Sequence, residues 1–379
     1  MLAWEIIFWL CVALLVYAQV GYALVLAALA RLRPARVVAP TPATTPAEPP
    51  TVSLVVAAYD EEAVIARKVR NALALDYPRE RLEVVVASDG SSDATVREAR
   101  DAGADRVLEL ARGGKIRAQD AAVAQSRGEI VAFSDANSTW EPDALRTLVG
   151  AFSDSTVGYA CGQVRFVNDG GTNQEGLYWR YEMALRALES RLHSITAGNG
   201  AIYATRRASY IEVDPIMGHD LSFPFNMVKR GWRAVYVPQA RATEKMVPSL
   251  EGEFARKRRM MSHTWPIVLR GGLLSPRGYP PLYALMIASH RLLRYGAPFL
   301  HVGALVASAA LLTTSPLYLI AFVLQIGVIA AAFLARAIPL RPLLVARYYV
   351  LTTVSVAAGL WDWLRHGTAA GWEPAQGTR

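Results

Sequence analysis

The sequence predicts an α/β domain, a parallel sheet covered by helices on both faces, held between apolar segments that span or lie on a membrane. Three observations carry this. Short apolar runs alternate with helical patterns from Thr51 to Phe133. Hydrophobic residues make up 53% of the 379 and crowd the two ends of the chain, which marks a tethered domain. The turns that close the apolar runs collect Asp, Asn, Gly and Lys, and such strand ends are where sheets of this kind bind ligands.

From Ile6 to Ala30 the chain is almost uninterruptedly apolar, long enough to span a bilayer, and Arg31, Arg33 and Arg36 follow it. Those arginines predict a cytoplasmic side for what comes next. A cleaved signal peptide fits less well, because the run is too long and no basic residue precedes it. Residues 1–36 therefore read as a transmembrane helix with its basic flank, and 37–50 as a Pro-rich linker. Within 51–248, the predicted strands are Thr51–Ala57, Leu82–Ala87, Arg106–Leu110 and Ile130–Phe133, with helices at Glu61–Ala74, Ala94–Ala102 and Ile116–Ser126. Val157–Phe166, Gly200–Tyr203 and Ala234–Val237 continue the sheet, and Leu221–Lys229 is helical.

Residues 249–295 predict interfacial amphipathic helices. The first, Glu251–Trp265, mixes four basic residues with Phe254, Met260, Met261 and Trp265, and the second is Pro281–Arg294. A solvated basic helix competes with the first reading. Ala297–Thr314, Leu317–Leu334 and Leu343–Leu360 each approach the ~20 residues of a span, so 296–365 predicts three transmembrane helices and 366–379 a tail. Arg336, Arg341 and Arg347 set the loop between the last two runs on the cytoplasmic side.

The net charge of +8 lacks the aromatic-interleaved basic stripe of a nucleic-acid binder. Membrane lipids and phosphate groups are the partners it fits. Two cysteines, Cys11 and Cys161, exclude a disulfide framework and a cysteine metal site.

The chemistry concentrates at strand ends. Ala58-Tyr59-Asp60-Glu61-Glu62 closes the first strand and Ser88-Asp89-Gly90-Ser91-Ser92-Asp93 the second. Asp89 can accept a hydrogen bond from a base or sugar, and Asp93 can cap the next helix. Gly113-Gly114-Lys115 offers backbone amides and a point charge to a phosphate. It lacks the glycine and hydroxyl spacing of a P-loop. After the fourth strand, Asp135 and Asn137 place two oxygen ligands where a hard divalent cation fits, and an ordinary turn competes with that reading.

Together these segments resemble glycosyltransferase family 2, over roughly Val52 to Met260. The resemblance implies a Rossmann-like GT-A nucleotide-sugar-binding domain with transmembrane and interfacial helices, of the poly-N-acetylglucosamine, hyaluronan and chitin-oligosaccharide synthase type. It implies nucleotide contacts at Ala58, Tyr59, Glu61, Asp89, Lys115, Arg256 and Arg259, a Mg2+ or Mn2+ cofactor on Asp135 and Asn137, and Asp220 as catalytic base. Gly198-Asn199-Gly200 resembles the acceptor segment, and Trp265 is a further acceptor candidate or an interfacial anchor. Arg256 and Arg259 lie where the family carries QxxRW, with Gln and Trp both replaced, and Asn137 replaces the second acid of the metal motif.

The implied activity is inverting transfer from a nucleotide sugar, a UDP sugar first, to a polysaccharide or glycolipid acceptor at the cytoplasmic face of a bacterial inner membrane. Single transfer to a lipid acceptor of ceramide or polyprenyl type is the alternative. A catalytically inactive membrane scaffold or sugar-nucleotide sensor is a third reading.

Overall fold

A computed structural model of the chain describes residues 1–32, 48–167, 176–245 and 250–371. Most of the expected linker, Arg33 and Arg36 of the basic flank, and the tail from 372 onward lie outside the described residues. The chain divides into two units. One comprises Met1–Leu32, Ser249–Trp265 and Ala284–Gly367, the other Arg33–Pro248, Pro266–Tyr283 and Thr368–Arg379. Residues 249–295, expected as one interfacial stretch, thus divide between the two units.

The second unit is built on eight strands: β1 (Val52–Ala58), β2 (Leu82–Asp89), β3 (Arg106–Leu110), β4 (Ile130–Asp135), β5 (Thr139–Trp140), β6 (Val157–Val167), β7 (Tyr203–Arg206) and β8 (Arg233–Lys245). Their order is β3-β2-β1-β4-β7-β6-β8-β5. Every residue of β1 is buried, as a continuous Val/Ala/Leu run covered on both faces requires. Alternate side chains feed separate cores: Leu54 packs with Val84 and Ala132, and Val55 with Val85 and Val131. The chain runs from β1 outward to β2 and β3, then returns to β4 on the other side of β1. That reversal opens a crevice beyond the carboxyl ends of β1 and β4, where Ala57 pairs with Asp135 and Ala58 with Ser88.

The sheet is mixed where the sequence predicts parallel pairing. β1–β2, β1–β4, β2–β3 and β6–β8 are parallel, but β7 lies antiparallel between β4 and β6, and β5 antiparallel to β8. The expected strand Gly200–Tyr203 moves to Tyr203–Arg206. The cause is Asn199, whose carboxamide donates to Gly162 O at 2.8 Å and accepts from the amides of Ala201 and Ile202, turning that stretch into a loop. β8 outruns its predicted end because it pairs with β6 beyond a register shift at Cys161/Gln163.

In the first unit, Leu2–Leu32, Pro316–Leu334 and Arg341–His366 are long and apolar enough to cross a membrane. These are the only three such helices among the described residues, against the four spans expected from the sequence. The stretch expected to hold the remaining span follows Pro281–Met286 and the π-turn Ile287–Leu292 directly as Leu293–Ala310, which carries Arg294 and His301. Within the unit Phe8 meets Tyr318 edge-on at 5.1 Å, and Gln325 donates to Ser308 at 3.2 Å. Arg347, expected in a loop, is 8% exposed inside the last helix and donates to Glu251 and to Ala332 O.

Candidate active site

Two loops form the floor of the crevice. Asp60, in the left-handed region at φ 48°, accepts from the Ser92 amide at 2.8 Å while its own amide donates to Ser91 at 3.1 Å. The Glu61 amide donates to Thr95 at 2.7 Å, and Glu62 accepts from the Ala94 amide at 3.0 Å. Asp93 accepts from the amides of Thr95 and Glu62, but the cap position of the helix Thr95–Asp101 is Ala94, so the expected capping role falls and Asp93 ties the two loops together instead. Burial pushes its carboxyl up, but these hydrogen bonds win and hold it below the ordinary range. Ala58 is fully buried and Glu61 6% exposed, so Tyr59, Asp60 and Glu62 form the accessible part of this floor.

Asp89, 1% exposed, gathers the next loop. It accepts from the amides of Gly113 and Gly114 at 2.6–3.0 Å and from Arg112 at 3.0 Å. The Arg112 guanidinium also lies 3.2 Å from the centre of the Tyr59 ring. Arg112 is a site residue that the sequence reading passed over. Its position two residues before Gly114 is the signal that was there to find.

Lys115 opens the helix Lys115–Gln125 and makes an ion pair with Asp135. Desolvation pulls its ammonium down, but Asp135, with Asp220 and Glu244 behind it, holds it above the ordinary range. Gly200 faces this pair. A Cβ there would stand 3.3 Å from Lys115 Nζ and 3.5 Å from Asp135 Oδ2, so the missing side chain keeps the space beside the pair open.

Asp220 stands in the first turn of the helix His219–Lys229, whose cap position is Gly218. A carboxylate is favoured there by the helix dipole. Its carbonyl accepts from the Gly198 amide at 2.6 Å, which ties the acceptor-type loop to the proposed base. Gly198 O in turn accepts from Arg186 at 3.1 Å. His219, 3% exposed, packs on Phe223 with ring centres 4.0 Å apart and meets Tyr203 Oη at 2.8 Å. Burial, and then Lys115, lower its pKa to about 3, so the ring is neutral.

The structure thus brings together Tyr59, Asp89, Lys115, Asp135, Asn199, Gly200 and Asp220 within one unit. Arg256, Arg259 and Trp265 belong to the other. There Arg256 grips Glu253 through two hydrogen bonds of 2.8 and 2.7 Å, and Trp265, 7% exposed, donates to Val356 O at 2.9 Å.

A divalent cation fits the residues at the end of β4. Asp135 already holds a cation, the Lys115 ammonium, and Asn137 adds a neutral oxygen two residues on. Among the described residues no three His, Cys, Asp or Glu side chains form a closed cluster. The donor set is that of an ion held by one or two protein oxygens and completed by phosphate and water.

The glycines give a graded expectation. In Gly198→Ala the new Cβ would sit 2.0 Å from Tyr159 Oη, a fully buried group. Thermal unfolding should report a loss of about 1–3 kcal/mol from this overpacking. Gly200→Ala, which meets only the flexible end of Lys115 and a carboxylate oxygen, should melt like the parent and raise the donor KM several-fold.

The description "Glycosyltransferase like family 2" matches residues 49–262. An N-acetylglucosaminyltransferase from Sinorhizobium fredii is 26% identical over 371 residues, covering 88% of each chain. A beta-monoglucosyldiacylglycerol synthase from Synechocystis is 34% identical over 171 residues, 40% of this chain and 33% of that protein. The chain spans between a third and a half of the length of several such curated relatives. Among solved structures, a mannosyltransferase from Pyrobaculum calidifontis in complex with GDP-Man and Mn2+ superposes with a TM-score of 0.71 at 23% identity, over 95% of this chain and 99% of that one, which establishes the GT-A fold. Because the family description covers more than half its length, the chain belongs to glycosyltransferase family 2.

Proposed function

We propose that the protein is an inverting glycosyltransferase of the membrane surface, with Asp220 as general base and Lys115 and Asp135 at the donor diphosphate. The observation that carries this reading is the environment of Lys115, which sits in ion pair with Asp135 and within the field of Asp220. The donor-side carboxylate, the phosphate-type lysine and the base-type carboxylate thereby share one corner of the crevice.

In the reaction the Asp220 carboxylate takes the proton of an acceptor hydroxyl as its oxygen bonds to the anomeric carbon. The nucleoside diphosphate leaves from the opposite face with the electron pair of the broken bond, and an α-linked donor gives a β-linked product. Lys115 transfers its charge from Asp135 to the departing phosphates. Asp135 and Asn137 would hold a Mg2+ or Mn2+, which would neutralise the diphosphate charge. Tyr59 and Arg112 offer a ring and a guanidinium to the base, and Asp89 fixes the loop around them. The Gly198–Gly200 loop, hydrogen-bonded to the Asp220 main chain, positions the acceptor.

The exposed apolar faces of Pro316–Leu334, with Val323, Leu324 and Phe333 turned outward, support a membrane setting. For the sugar, the relative matched along 88% of both chains favours transfer of N-acetylglucosamine; for the acceptor, a growing polysaccharide is the first reading and the diacylglycerol-glucosylating relative keeps single transfer to a lipid as the second. A screen of the purified protein against UDP and GDP sugars, read by released nucleotide, tests the donor. Chain length of the labelled product then separates the acceptors: a single sugar on lipid removes the polymerase reading. If no sugar nucleotide turns over, the catalytic reading itself is lost.

A further inference from the structure

The weak point of the cation site is Asn137, which contributes an oxygen but no charge. The fold supplies a carboxylate beside it from a distant part of the chain. β5 pairs antiparallel with β8, Trp140 opposite Ala242 and Thr139 opposite Thr243. Carried one residue further, this register sets Glu244 opposite Ser138 and next to Asn137. Alternation puts the Glu244 side chain on the same face as Ala242, the face of Ser138 and Trp140. That face points at the donor corner: Ser138 Oγ and Trp140 Nε1 both donate to Ala201 O, at 3.3 and 2.9 Å, and Ala201 follows the Gly200 that faces Lys115 and Asp135.

Lys68 gives the independent observation. Its side chain is 2% exposed, and its ammonium has no hydrogen-bond partner among the described residues, lying 5.2 Å over the Trp140 ring. Burial lowers its pKa to about 7 against the opposing pull of Asp135 and Glu244. A buried ammonium is stable only when anions face it. Lys68 therefore lies within the field of both carboxylates, Asp135 and Glu244.

We propose that Glu244 is the second acidic residue of the cation site, supplying from β8 the charge that Asn137 lacks. The inference rests on the reading of Asp135 as a cation ligand. Asp135 is paired with Lys115, and Glu244 brings a second carboxylate whose field reaches Lys115 as well. When Lys115 moves to the diphosphate, the Asp135 charge is released for a divalent cation, and Glu244 adds to it. The sequence therefore tolerates Asn137 because the missing charge arrives through strand pairing.

The test measures Mn2+ binding to the purified full-length protein by electron paramagnetic resonance, with UDP and in parallel with GDP. Glu244→Gln, nearly isosteric, should weaken Mn2+ about 10-fold or more, since charge count tunes such affinities. Glu244→Asp should retain more binding than Glu244→Gln, and adding Asn137→Asp to Glu244→Gln should restore most of the loss. Parent-like affinity in Glu244→Gln overturns the proposal, and so does a loss that Asn137→Asp fails to rescue, because a purely structural glutamate would not respond to charge at position 137. Asp135→Ala separates the two levels. If it abolishes Mn2+ binding while Glu244→Gln does not, only the assignment of Glu244 falls; if the parent binds no Mn2+ with either nucleotide, the cation reading falls and this assignment with it.

Discussion

Asp220→Asn is expected to reduce transfer by about 10²- to 10⁴-fold, the range of a positioned general base, while nucleotide affinity stays within a factor of two. The substitution keeps the size and hydrogen-bonding outline of the side chain but cannot take the acceptor proton. The loss corresponds to about 3–5 kcal/mol of transition-state stabilisation. Little else should change. Gly198 binds the main-chain carbonyl of residue 220 rather than its side chain, and the helix cap is Gly218, so loop and helix survive the exchange. Single-turnover transfer and equilibrium nucleotide binding, measured on one preparation, check both halves. Parent-like turnover would remove Asp220 as the base. A parallel fall in nucleotide affinity would instead assign it to the donor side.

The second large effect is expected from Asp135→Ala. Asp135 neutralises Lys115 in the donor-free protein, and under the proposed mechanism it would hold the cation that screens the diphosphate on donor binding. Its removal should cost roughly 10²-fold or more in nucleotide affinity measured with Mn2+, because a bound metal supplies several kcal/mol of charge stabilisation. Without metal the same substitution should weaken binding little, since Lys115 is then free for the phosphates. The comparison of titrations with Mn2+ and with chelator is decisive. If parent and variant bind nucleotide equally in both conditions, Asp135 is a structural partner of Lys115 and the cation assignment is wrong.

Much of the donor half was legible in the residues themselves. β1 to β4 are short apolar runs closed by polar turns, so their pattern marks both the strands and the loops at their ends. Arg106–Leu110 was read to the residue, and Leu82–Ala87 and Ile130–Phe133 were extended by only two residues each. Helix existence was equally plain, though Glu61–Ala74 begins only at Ile65, because the loop hydrogen bonds of Glu61 and Glu62 compete with the first turn. The family-type motifs then marked Tyr59, Asp89, Lys115, Asp135 and Asp220, since each lies in a contiguous stretch of recognisable chemistry.

What the sequence by itself determined is therefore local: the apolar helices, the alternation of strands and helices, and the strand-end loops that carry the donor chemistry. Only the tertiary structure decided the direction of β5 and β7, the displacement of Gly200 out of the strand to face Lys115, the stacking of Arg112 on Tyr59, and the burial of Lys68 over the Trp140 ring. The physical reason is that periodicity reports which side of its own element a residue faces. Pairing partners and the charge balance of a buried site depend on residues about a hundred positions apart, as Thr139 and Thr243 are, and those relations exist only once the sheet has closed.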